Sequence, residues 1–441
     1  MKLKILIFIF FSLFLFGQKG LQLSAENSQV KIPFRFINNL MFVEAEINGV
    51  SMTLLLDTGV SETIIFSVED KELTLKNIEK MNFTGLGNGE ETQGLVSHNN
   101  VLKIGKMQDS SHVIYIILNT DFNFSSQVGI PVNGIIGFDF FENQPIKIDY
   151  KRKKITVYQH SDAFVKKLKK YKEIPIAIIN QKPYVETQVN LKNNNQQAKL
   201  LIDTGNSDAL WLFPNKMNNF FYNHPNIDDY LGRGFNGDIL GKKSRIKSFS
   251  LGDFTLTQPT TSFPDENSIK NVKIIPGRVG SIGEEILRRF DVIFDYKNAK
   301  MYLKKNIYFD EDFLFNKSGL EFKHVGMQWE KELTETLPNK TQSNKSEIEK
   351  SIFSNFQYQF QLKPLFAIAS CRPNSPAAMA GLKKDDLLLH INGKPTTQMT
   401  LQKIIDLMKK DDDTEITMEI MRNGTKMNFS FKLKDPIAYE E

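Results

Sequence analysis

Cysteine is nearly absent: Cys371 stands alone in 441 residues. A disulfide within the chain and a cysteine-built zinc cluster are therefore excluded. Histidine is scarce too, with single residues at 98, 112, 160, 224, 324 and 390 and no His-Glu-x-x-His. That spacing offers no metal site, and no cofactor is implied. A surplus of one charge is also missing. Lys plus Arg number 56 against 51 Asp plus Glu, a net +5, which gives no concentrated basic face for nucleic acid. With 41% apolar and 24% charged residues, the chain is globular in composition and long enough for two to four domains.

Long apolar runs are missing except for one near the start. Ile5 to Phe16 follows Lys2 and Lys4. At about a dozen residues it is shorter than the ~20 of a membrane-spanning helix. Gly17, Gly20, Ser24 and Ala25 then offer small residues for cleavage. The pattern is that of a secretory signal peptide over residues 1–25. No cysteine follows to carry a lipid. The expectation is an exported protein, periplasmic or extracellular, with no stable membrane insertion after cleavage. Export without disulfides fits a bacterial envelope.

What is present is a repeat. Leu54-Leu55-Leu56-Asp57-Thr58-Gly59 returns as Leu200-Leu201-Ile202-Asp203-Thr204-Gly205, an offset of 146. Gly134-Ile135-Ile136-Gly137 returns as Gly280-Ser281-Ile282-Gly283, and Asp149-Tyr150-Lys151 as Asp295-Tyr296-Lys297, both again at 146. One offset shared by three motifs marks two copies of one unit, expected over 28–160 and 170–305. Within each unit the pattern is β. Phe42 to Ile47 and Lys182 to Val189 read as strands, and Asn48-Gly49 as a tight hairpin turn. Ile146 to Tyr158 and Val292 to Leu303 read as strand pairs, with Lys151 to Lys154 a solvated tip. One short helix is expected per unit, Phe138 to Glu142 and Glu284 to Arg289.

An aspartate at the end of a buried apolar strand loses hydration. Here that happens twice. Two carboxyls brought within a few ångströms cannot both ionise easily, so one serves as general base and the other as general acid. Such a pair activates water without a metal or a covalent intermediate. Gly59 and Gly205 permit close backbone approach. Thr58 and Thr204 can bond across the interface and fix the two loops.

The constellation resembles the pepsin/retropepsin superfamily of aspartic peptidases, on Leu55-Leu56-Asp57-Thr58-Gly59-Val60-Ser61 and Leu201-Ile202-Asp203-Thr204-Gly205-Asn206-Ser207, with Ile135-Ile136-Gly137 and Ser281-Ile282-Gly283 as the second motif. The resemblance implies a mainly β fold of two pseudo-symmetric lobes forming a cleft. It implies Asp57 and Asp203 as the catalytic pair, supported by Thr58, Gly59, Ser61, Thr204, Gly205 and Ser207. It also implies glycine-rich flaps that bind substrate, with Gly85, Gly87 and Gly89 in the first and Gly232, Gly234 and Phe235 in the second. The substrates would be peptides or proteins. Val60 and Asn206 depart from the usual Ala, Ser or Thr. Val60 cannot donate a hydrogen bond to its carboxylate and Asn206 can, so an asymmetric pair is expected. Phe138 and Glu284 stand where retroviral members carry Arg. The GxGxxG spelling of Gly232 to Gly237 lacks a following long helix, so it is read as flap and not as a dinucleotide loop. Trp211 is read as core.

Residues 306–357 are polar and charged toward Lys350 and are read as a linker or insertion. Ser375-Pro376-Ala377-Ala378-Met379-Ala380-Gly381-Leu382 followed by Ile391-Asn392-Gly393 resembles a bacterial PDZ domain, a small α+β unit over 358–435. Such domains take an extended peptide, often a C-terminal tail, as an added strand. Lys363, Pro364, Leu365 and Phe366 are the candidate carboxylate-binding loop, and Cys371 a core thiol. The rival to a PDZ-bearing endopeptidase is a peptide-binding protein that keeps the lobes without cutting.

Overall fold

The computed structural model describes residues 20–68, 71–83, 92–117, 124–191, 195–218, 220, 222–234, 237–270, 272, 274–335 and 356–439. The fold is mainly β, as expected. Each repeat forms its own sheet around an apolar strand that ends in the repeated aspartate. In the first, Val50–Leu56 lies antiparallel to Leu40–Ile47 and parallel to Gly134–Ile136. In the second, Asn195–Ile202 lies antiparallel to Lys182–Asn190 and parallel to Arg278–Ile282. Both strands are buried on both faces at the ends next to the aspartates, which is why Leu54–Leu56 and Leu200–Ile202 read as continuous Leu and Ile.

A six-stranded sheet joins the two lobes, in the order Lys172–Pro175, Lys300–Lys305, Phe290–Asp295, Ile146–Asp149, Lys154–Tyr158 and Gln29–Pro33. At its centre Ile146 faces Phe294 and Ile148 faces Val292. These two pairs exchange under the 146-residue offset, so a pseudo-twofold axis passes between Lys147 and Ile293. Phe141 seals the junction, stacked on Tyr296 at 5.3 Å and edge-on to Phe294 at 5.5 Å. Each such buried ring contributes roughly 1.5–3 kcal/mol. The hairpins expected at Ile146–Tyr158 and Val292–Leu303 are present, with an exposed tip at Lys151–Lys153 where Arg152 pairs with Asp149 at 3.0 Å. The short helices at Phe138–Phe141 and Glu284–Leu287 are present as well.

The structure corrects the sequence reading in several places. The first lobe begins before residue 26: Leu21 is fully buried, and Gln22–Leu23 pairs with Met107–Gln108 in the sheet. A chain cut after Ala25 would lose that strand. Three further helices occur among the described residues of the lobes, Phe124–Val128, Asp162–Leu168 and Glu266–Ile269. The second is short but capped, with Ser161 Oγ accepting from the Phe164 amide. The described part of the segment 306–357, residues 306–335 and 356–357, is not a linker. Its start is a strap on the second lobe, held by the fully buried guanidinium of Arg289, which donates to the carbonyls of Tyr308, Phe309, Glu311 and Asp312. The ring of Phe313 lies under that guanidinium at 3.7 Å. Leu320–Glu335 then pairs along its length with Phe356–Cys371, so the third unit starts near Gly319 and not at 358.

That unit has its own core of Leu320, Phe322, Ile368, Leu388, Ile404 and Ile420. Ser375 caps Pro376–Ala380, Gly381 ends it at φ 102°, and Thr400 caps Leu401–Leu407. It is tied to the second lobe by Arg372–Asp229 at 3.4 Å, Arg245–Asp435 at 3.1 Å and stacking of His224 on Tyr439. Cys371 is half-buried against this core, and burial raises its thiol above the ordinary range.

Candidate active site

The two aspartate loops meet at the pseudo-twofold axis. Each is anchored to its own lobe through the parallel strand beside it. The Asp57 amide donates to Ile136 O at 3.0 Å and the Asp203 amide to Ile282 O at 2.9 Å. Glycine is needed just beyond those carbonyls. A Cβ on Gly137 would stand 1.9 Å from Val60 O, and one on Gly283 would stand 2.2 Å from Asp208 O. That close approach explains the glycine that ends each second motif.

The loops are then locked to each other. Thr58 Oγ1 donates to Ile202 O at 2.7 Å and accepts from the Thr204 amide at 3.0 Å. Thr204 Oγ1 donates to Leu56 O at 2.9 Å and accepts from the Thr58 amide at 3.0 Å. Both hydroxyls are buried, so losing either leaves partners that water cannot reach. The lock brings the carboxyls together. Asp57 Oδ1 accepts from the Gly59 amide at 2.7 Å and Asp203 Oδ1 from the Gly205 amide at 3.1 Å. The two carboxyls share a hydrogen bond. A Cβ on Gly205 would stand 2.1 Å from Asp57 Oδ2, and one on Gly59 would stand 2.7 Å from Asp203 Oδ1. Each glycine therefore makes room for the opposite lobe's carboxyl.

The two carboxyls feel different fields. Burial, then the Asp203 charge, push the Asp57 carboxyl above the ordinary range, against the Gly59 amide and Lys182. Burial raises Asp203 as well, but Arg278 and then Lys182 hold it down. Arg278 and Lys182 thus favour the ionised form at Asp203. An asymmetric pair was expected, but not for this reason. The Asn206 amide nitrogen is buried and donates to no described group, while its Oδ1 accepts from the Asp208 amide at 3.0 Å. The asymmetry comes instead from Lys182 and Arg278, which the sequence reading passed over. Matching the repeats at the 146-residue offset would have set Arg278 against Val132, whereas Lys182 answers to Leu40 only through sheet register.

The remaining site residues divide. Ser61 does not touch the carboxyls: its Oγ donates to Asn180 O across the lobes at 3.2 Å. Ser207 serves the mirror contact through its carbonyl, which accepts from Asn39 Nδ2 at 3.1 Å. Gly232 and Gly234 lie in a hairpin of Ile227–Gly234 with Gly237–Arg245, with a register shift at Gly232. From that hairpin Tyr230 hydrogen-bonds Gln127 of the first lobe, a bridging tyrosine the sequence reading did not name. Gly85, Gly87, Gly89 and Phe235 lie outside the described residues. Trp211 is buried, with Nε1 donating to Asp208 at 2.8 Å.

Lys363, Pro364, Leu365 and Phe366 form no loop. They sit inside the strand Phe356–Cys371, opposite Gln328, Met327, Gly326 and His324. The turn that precedes the edge strand is Asn316 to Gly319. It is closed on the end of helix Leu401–Leu407 by the Lys317 amide, which donates to Met408 O at 2.9 Å. Among the described residues no group of His, Cys, Asp and Glu is placed to hold a metal, and no helix is long and apolar enough to cross a membrane.

Residues 43–140 match the family model of aspartyl proteases, and residues 368–422 match that of PDZ domains. No curated protein matches the chain. The chain thus carries an aspartyl protease domain and, beyond it, a PDZ domain. The protease match covers the first lobe, and the repeat and its lock extend the likeness to the second.

Proposed function

We propose that the chain is an exported aspartic endopeptidase, with Asp57 and Asp203 as its catalytic pair and the PDZ domain as a docking module for substrate tails or partners. One observation carries this reading. The reciprocal Thr58–Thr204 lock holds two carboxyls from different lobes in one shared hydrogen bond.

In the mechanism the Asp203 carboxylate accepts a proton from a water molecule as its oxygen attacks the scissile carbonyl carbon. Asp57 gives its proton to the carbonyl oxygen. The tetrahedral intermediate collapses when the amide nitrogen takes the proton held by Asp203, the C–N bond breaks, and the diol proton returns to Asp57. Gly59 and Gly205 amides steady the two carboxyls throughout. The flap hairpin, through Tyr230, closes the cleft over the peptide and excludes competing water.

The test is cleavage of a denatured protein mixture from pH 3 to 8 by wild type and Asp57→Asn. Cleavage lost in the variant supports the pair. Equal cleavage by both would sink it. Export rests on the Lys2, Lys4 and Ile5–Phe16 pattern. The burial of Leu21 in the lobe supports signal cleavage before it. N-terminal sequencing of the secreted protein checks that, and a mature start at Glu26 would contradict it.

A further inference from the structure

The two walls flanking the aspartate pair are built at equivalent positions with opposite chemistry. Sheet register fixes the equivalence. Phe42 pairs with Leu55 and Tyr184 with Leu201, while Ile37 pairs with Leu40 and Ile179 with Lys182. Leu40 therefore answers to Lys182. The 146-residue offset pairs Val132 with Arg278 and Ile135 with Ser281. In the first lobe Leu40, Phe42, Leu55, Val132 and Ile135 make an apolar cluster separate from the main core. In the second lobe the matching side chains include two cations.

Those cations have no carboxylate of their own. Arg278 spends its guanidinium on Gly280 O at 3.0 Å and Ser281 Oγ at 2.8 Å, beside the ring of Phe213. Lys182 is half-buried and makes no ion pair among the described residues. Other buried cations nearby are paired: Arg288 and Arg289 with Glu285, and Lys243 with Asp208. Lys182 and Arg278 both act on Asp203, and Lys182 acts on Asp57 as well. The aspartate pair sharing one proton carries a single negative charge, whereas the two cations carry two positive ones. Glu284 is fully buried, and burial raises its carboxyl well above the ordinary range. Lys182 is left without a carboxylate of its own beside the aspartate pair, and an uncompensated charge held out of water is costly.

We propose that the second-lobe wall, built on Lys182 and Arg278, is a subsite for a carboxylate of the peptide. This rests on reading the cleft as a peptide-cleaving site. The carboxylate could be an acidic side chain or the C-terminus of the chain being cut. Either would restore the missing charge beside the reacting bond.

The experiment uses the full chain and a peptide series with Glu or Gln at each position around a cleaved bond, with free or amidated C-termini. kcat/KM is measured for wild type, Lys182→Met, Lys182→Glu and Lys182→Arg. In parallel, binding of the same peptides to Asp57→Asn is measured by calorimetry. At one position wild type should favour Glu over Gln by on the order of tenfold, the scale of a charge-assisted contact. Lys182→Met should bring that ratio near one, Lys182→Glu below one, and Lys182→Arg should restore it. If instead the free C-terminus carries the preference over the amide, the carboxylate is the terminal one. No preference at any position in wild type, or a preference untouched in Lys182→Met, would overturn the proposal. Binding preference for the carboxylate without cleavage by wild type would uphold this subsite and sink the endopeptidase reading. Cleavage without preference would do the reverse, and neither cleavage nor binding would end both.

Discussion

The two lobes share a backbone plan, and they differ most where a peptide would lie. At the axis the likeness is close: Thr58 and Thr204 trade the same hydrogen bonds, and Gly59 and Gly205 make the same room. A step away it fails. Val60 faces Asn206, Phe138 faces Glu284, and Leu40 and Val132 face Lys182 and Arg278. Beneath the axis the ring of Tyr296 lies 6.0 Å from Phe138, whereas Tyr150 faces the buried carboxyl of Glu284. The difference has a physical sense. Two carboxyls that must meet need reciprocal supports, and a twofold axis supplies them. A peptide runs from N- to C-terminus and has no such symmetry, so the walls that hold it are free to diverge.

The largest expected effect tests the symmetric part. Asp57→Asn and Asp203→Asn should each lower kcat/KM by at least about a thousandfold. The double variant should be no worse than either single one, because residues acting as a unit are not additive. A tenfold gap between the two singles would break the equivalence. Next come Thr58→Val and Thr204→Val. Each strands a buried carbonyl and a buried amide, so each should cost ~2–4 kcal/mol in denaturant unfolding. A large cost in one and none in the other would show that only one lobe is held.

The asymmetric part has smaller signatures. Both aspartates are raised, so the singly protonated pair should persist above the range of ordinary carboxylates, with maximal cleavage above about pH 4. Lys182→Met removes a cation that lowers both, and should move both limbs of the pH profile upward. A maximum below about pH 4 would contradict this. The smallest effect is on stability. Burial raises the Glu284 carboxyl well above 4.5. Its contribution is then fully present below the ordinary carboxylate range and lost as pH rises through the raised value. Glu284→Gln should therefore lose less stability than wild type toward alkaline pH, by a few degrees in Tm for a chain of this size. Parallel melting curves at pH 5 and pH 9 would show it, and identical pH dependence would refute it.

Much of the fold near the site was legible because its signals are local. Leu54 to Gly59 and its copy carry strand, turn and acid in six residues. The Gly137 and Gly283 motifs show where backbones must pass closely, and Asn48-Gly49 closes a hairpin at positive φ. What misled was pairing over distance. Leu320–Glu335 finds its partner beyond a polar stretch, so the segment read as linker and Lys363–Phe366 as loop. Leu21 to Leu23 carries no signal that its partners are Met107 and Gln108. The helix at Asp162 was missed because one capped turn of seven residues barely registers in a periodicity.

By itself, then, the sequence determined the doubling of the lobe, the two acids at strand ends, the turns that carry them and the tail that follows. Those features depend on neighbours a few residues apart, or on a repeat visible as spacing. Tertiary structure alone decided that the two carboxyls share a hydrogen bond, that burial raises both, and that Lys182 and Arg278 act on Asp203. Charge, burial and hydrogen-bond partners depend on which groups lie within a few ångströms, and here the two aspartates stand 146 residues apart with Arg278 another 75 beyond Asp203.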